Sequence, residues 1–183
     1  MVLAKQAGLD ITQKGDFDLA AMKASGELIF GQVPYLVHGD VKLCQSGAIM
    51  RYITKAGGLE ADTAADFGRS EMLFSEAEDI WSLLCAAHYS TEKAAAFTAL
   101  FAADGKFAAH VACLEKIIGE APFADSTGKM LAGGFYLACV FDTATTLEPK
   151  CLDAFPKMKS FSEKMLALPA FECGKGMGMY ITR

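Results

Sequence analysis

Phe30-Gly31-Gln32-Val33-Pro34-Tyr35-Leu36, followed nine residues on by Gln45-Ser46-Gly47-Ala48-Ile49-Met50-Arg51-Tyr52-Ile53, is the stretch on which the reading of this chain turns. A proline opening a hairpin strand is unusual, because it cannot donate to the ladder. A cis Val33-Pro34 bond would turn the backbone and leave the Val33 N–H and C=O free for a peptide-like ligand. Gln45-Ser46 at a helix start offers an amide, a hydroxyl and bare N–H groups at the positive end of the helix dipole, which suits a carboxylate. Together the two features fit a small extended peptide with a free carboxylate. The plain alternative is a hairpin with a trans proline at a bulge and an ordinary serine cap.

Working outward, His38-Gly39-Asp40 reads as a hairpin turn and Val41–Cys44 as the return strand. Ser46 is the N-cap candidate of the helix that follows. Ala48, Ile49, Tyr52 and Ile53 give that helix its apolar face, and Gly57-Gly58 end it. Upstream, residues 1–8 look like a helix end stopped by Gly8, Leu9–Gln13 like a short strand, and Phe17–Ala24 like a short helical or irregular stretch.

Beyond Thr63 the pattern turns helical. Leu73, Ala77, Ile80, Leu84 and Ala87 recur on one face. Lys93–Ile118 is a second helical stretch with a break expected at Asp104-Gly105. Residues 119–128, with Pro122, read as a loop, and Phe135–Leu147 as a buried core helix. Pro156 opens a further helix at its first position. The tail Gly174-Lys175-Gly176-Met177-Gly178-Met179 lacks the strand-and-helix context of a dinucleotide loop.

The chain has 183 residues, 52% apolar and 21% charged, enough for one domain or two small ones and for a packed core. Seventeen Lys and Arg against 22 Asp and Glu give a net charge of −5, which argues against a nucleic-acid or anionic-lipid partner. No apolar run approaches the ~20 residues of a membrane span, and Met1–Gln6 lacks the pattern of a secretory signal. The expectation is a soluble, cytoplasmic protein. The six cysteines (44, 85, 113, 139, 151 and 173) form no CxxC pair and read as reduced, structural residues. His38, His88 and His110 are too scattered to predict a metal site.

At Gly31-Gln32-Val33-Pro34 and Gln45-Ser46 the sequence resembles the glutathione transferase family, most closely its pi- and sigma-like cytosolic classes. Lys23-Ala24-Ser25, Glu78-Asp79 and Cys151-Leu152-Asp153-Ala154-Phe155-Pro156 extend the likeness. The resemblance implies an α+β thioredoxin-like N-terminal domain, here lacking its first strand, followed by an all-α helical-bundle C-terminal domain. The corresponding division is residues 1–59, a linker over 60–69, and 70–183. It further implies that the Val33 backbone, beside a cis Pro34, pairs with the cysteinyl part of glutathione. Gln45 and Ser46 would take the γ-glutamyl carboxylate, and Lys23 and Gln32 would lie along the tripeptide. Phe17 would stand where the pi class has a tryptophan. Asp79 would reach glutathione bound to the partner subunit of a homodimer or larger assembly. No metal is implied.

The implied chemistry is the family's detoxifying thiol addition, in which the glutathione thiolate attacks a hydrophobic electrophile. Phe101, Phe107, Met177, Met179 and Tyr180 are candidates for the apolar pocket, with core packing as the plainer role for each. The family's thiol-activating Tyr, Ser or Cys follows its first strand, and Met1 aligns beyond it, inside the first helix. No catalytic residue is therefore assigned; Tyr35 and Cys44 are the only substitutes considered. Two expectations follow: a natural chain that starts further upstream, or a non-catalytic protein of the same fold, ligand-binding, crystallin-like or a structural subunit. The helix near Phe135 departs from the family as well, with Gly134 and Leu137 read at the places of its Ser/Thr-x-x-Asp capping box.

Overall fold

The computed structural model describes residues 1–118, 128–174 and 181–182, and the chain divides into two compact units, Met1–Leu59 and Glu60–Arg183. Of the loop expected at 119–128, residues 119–127 lie outside the described residues, as do residues 175–179 of the glycine-rich tail and the pocket candidates Met177, Met179 and Tyr180.

In the first unit, α1 (Val2–Gln6) stops at Gly8, whose φ of 67° is the left-handed conformation that ends helices. Leu9–Gln13 forms no strand: the segment is irregular and mostly exposed, and no described strand lies alongside to complete a ladder. α2 (Leu19–Ala24) begins where the Asp18 carboxylate accepts the Ala21 N–H at 2.9 Å.

β1 (Tyr35–His38) and β2 (Val41–Cys44) form a two-stranded antiparallel sheet, with Tyr35 opposite Cys44 and His38 opposite Val41. The register leaves Gly39-Asp40 as the turn, and Gly39, at φ 57°, supplies the positive φ that a tight hairpin of this twist needs. α3 (Ser46–Ala56) follows directly. Its end packs on α1 so closely that a Cβ on Gly57 would lie 2.2 Å from Ala7 Cβ.

In the second unit, α4 (Ala64–His88) starts inside the stretch read as a linker, because Thr63 caps it. The Thr63 hydroxyl accepts the Asp66 N–H at 3.1 Å and donates to the Asp66 carboxylate at 2.9 Å. Arg69 pairs with the same carboxylate at 2.8 Å. Leu73, Ala77, Ile80, Leu84 and Ala87 are all buried, as their spacing requires. α5 (Lys93–Leu100) and α6 (Lys106–Ile117) are separate helices, parted at the expected break. α7 (Ala132–Leu147) is the central helix; Phe135, Leu137, Ala138, Phe141 and Ala144 are fully enclosed and face α4 and α8 (Pro156–Leu166).

Both α7 and α8 lack a side-chain cap of their own. The cap position of α7 is Leu131, with Gly134 three residues on, so the departure from the capping box falls at Leu131 and Gly134 rather than at Gly134 and Leu137. Ser70, on α4, fills the gap: its hydroxyl accepts the Gly133 N–H at 3.1 Å. α8 is capped from α6, where the two Glu115 carboxylate oxygens accept the N–H groups of Lys157 and Met158 at 3.0 and 2.8 Å. Thr182 bonds His88 and, through its hydroxyl, the Lys93 ammonium at 3.0 Å, which ties the chain end to α4 and α5.

Among the described residues no helix is long and apolar enough to cross a membrane, and no group of three His, Cys, Asp or Glu side chains is placed to hold a metal.

Candidate functional site

β2 ends at Cys44 and α3 begins at Ser46, so one residue must redirect the chain from strand to helix. Gln45 does so at φ 73° and ψ 119°, a region costly for any residue with a Cβ, by roughly 1–3 kcal/mol. Gln45 therefore occupies the cap position, and Ser46 is the first helical residue rather than the cap expected from its type. The first backbone bond of α3 runs from the Ile49 N–H to the Gln45 carbonyl at 3.0 Å. The N–H groups of Ser46, Gly47 and Ala48 thus lack intrahelical acceptors, at the positive end of the helix.

Opposite this helix start, the Val33-Pro34 peptide is cis and immediately precedes β1. Val33 is exposed, and its backbone N–H and C=O make no hydrogen bond with the described residues. Between the two segments lies a groove of about 130 Å³, lined by Phe30, Gln32, Val33, Pro34, Cys44, Gln45 and Ser46. Gln32, Val33, Pro34, Gln45 and Ser46, picked out by sequence, are thereby brought together. Phe30 and Cys44 were not assigned to it; each adjoins one of the two motifs, which is the only sequence signal they carry.

The remaining candidates stand elsewhere. Lys23, exposed on α2, has its stem beside the 28–31 turn: a Cβ on Gly31 would lie 4.0 Å from Lys23 Cε. Phe17 is exposed in the irregular segment before α2 and does not line the groove. Asp79 is exposed on α4, in the second unit. Phe107 is buried, its ring centroid 5.0 Å from that of Phe101, which in turn stacks on Phe97; these rings belong to an aromatic cluster of the helical core.

Neither substitute presents an exposed donor to the groove: Tyr35 does not line it, and Cys44, which does, is buried. The Tyr35 hydroxyl is enclosed without a hydrogen bond, and burial, then the negative charge of Glu27, raises its pKa above the ordinary value. Cys44 is a buried residue.

The comparisons with known proteins agree with this architecture. Residues 5–55 match the family described as glutathione S-transferase, N-terminal domain. Glutathione S-transferase Mu 1 of Bos taurus is 30% identical over 142 residues, covering 77% of this chain and 63% of that protein. Glutathione S-transferase B of Cavia porcellus is 32% identical over 144 residues, covering 77% and 63%. The chain thus spans less than two thirds of the length of these relatives. A solved structure, the pi-class glutathione S-transferase of Onchocerca volvulus, superposes with a TM-score of 0.76 at 22% identity, covering 94% of this chain and 88% of that one, and so shares its fold. With the hairpin-and-helix unit, the helical unit that follows it in the sequence and these sequence relatives, the chain belongs to the glutathione S-transferase family.

Proposed function

We propose that the protein binds glutathione in the groove between Val33-Pro34 and the start of α3 and, where a donor activates the bound thiol, transfers the thiolate to hydrophobic electrophiles. The observation that carries this reading is the meeting, in one groove, of the unpaired backbone peptide group of Val33 with Gln45 and Ser46, at a helix start whose first N–H groups lack intrahelical acceptors. The Val33 peptide would pair with the cysteinyl backbone. Gln45, Ser46 and the helix start would hold the γ-glutamyl carboxylate, with Lys23 and Gln32 along the tripeptide and Phe17 where the pi class has a tryptophan. Asp79 would complete the site of a partner subunit in a homodimer or larger assembly. The division into residues 1–59, 60–69 and 70–183 is the matching domain proposal, and a cytoplasmic setting accompanies it.

Thiolate formation requires a donor aimed at the sulfur, since a hydrogen bond to the charged form lowers the pKa of the thiol. Tyr35 and Cys44 are both enclosed and are not given that role. The second reading, a non-catalytic ligand-binding, crystallin-like or structural member of the fold, draws on this. It draws less on the departed capping box, because Ser70 supplies the missing acceptor.

Isothermal titration with glutathione, followed by a conjugation assay with a chlorinated aromatic, separates the readings. Binding is expected, and conjugation together with binding selects the transferase reading. Binding without conjugation selects the non-catalytic reading, and no binding at millimolar glutathione overturns the site assignment.

A further inference from the structure

We draw no further inference here: the strongest candidate, the exposed apolar tip formed by Ile29 and Phe30 beside the groove, is an unpartnered surface, and nothing in the structure shows what covers it.

Discussion

Ser70, in the first half of α4, accepts the N–H of Gly133 at the start of α7 at 3.1 Å, and a Cβ on Gly133 would lie only 2.1 Å from the Ser70 carbonyl oxygen. The glycine allows the two helices to approach, and the approach lets a serine of one cap the other. Ser70→Ala leaves a buried N–H without a partner and is expected to destabilise the protein by about 1–2 kcal/mol. Gly133→Ala must push the backbones apart, at about 1–3 kcal/mol. Urea denaturation measures both. A Gly133→Ala variant as stable as the parent would show that the close approach is not real.

The same relationship marks the limit of what the sequence discloses. The face of α4 was legible because Leu73, Ala77, Ile80 and Leu84 repeat at helical spacing, and the hairpin because Gly39 sits at its turn. The groove was legible because its two halves are contiguous motifs. The cap of α7 was not, since its donor and acceptor are 63 residues apart. Ser46 looked like a cap because serine favours that position, yet a one-residue passage from strand to helix assigns the cap to Gln45. The alternation at Leu9–Gln13 suggested a strand, but a strand is defined by its neighbour and none of the described residues provides one.

Gly57 and Ala7 make a second close approach, at the junction of α3 and α1. Ala7 Cβ, 2.2 Å from the position of a Gly57 Cβ, belongs to a side chain with no rotamer to change. Gly57→Ala is expected to loosen α1 from α3 and raise hydrogen exchange in both helices. Ala7→Gly, added to Gly57→Ala, removes the obstructing methyl and is expected to restore much of the protection. If exchange is unchanged by Gly57→Ala, the packing of α1 on α3 is wrong.

The thiols give a pH dependence. Burial pushes Cys139 up to about 12, and burial together with the negative charge of Glu148 does the same for Cys151. At pH 8 such a thiol is ionised in roughly one molecule in ten thousand, so both are expected to react with iodoacetamide far more slowly than Cys113, which is exposed. The folded state keeps these protons when the unfolded chain has lost them. Stability should therefore fall as pH rises from about 8.5, the ordinary thiol value, towards about 12, the folded value. Cys139→Ala is expected to flatten that alkaline decline. Mass spectrometry of the labelled protein and melting curves against pH check the two halves separately, and labelling of Cys139 as fast as Cys113 contradicts the first.

Ser46 tests the proposed site, because its position separates binding from folding. A serine at the cap would contribute to both, so that its loss would be hard to interpret. Here Gln45 holds the cap, Ser46 is the first helical residue, and this exposed residue lines the groove together with Gln32, Val33 and Pro34. Alanine favours the helix at least as well as serine, so Ser46→Ala is expected to leave the melting temperature unchanged. It would remove the proposed hydrogen bond to the γ-glutamyl carboxylate and is expected to weaken glutathione binding by about 1–3 kcal/mol. Titration calorimetry and thermal melting on the same preparation give both numbers. A variant that melts earlier but binds glutathione undiminished would place Ser46 in the scaffold and take the carboxylate out of this groove.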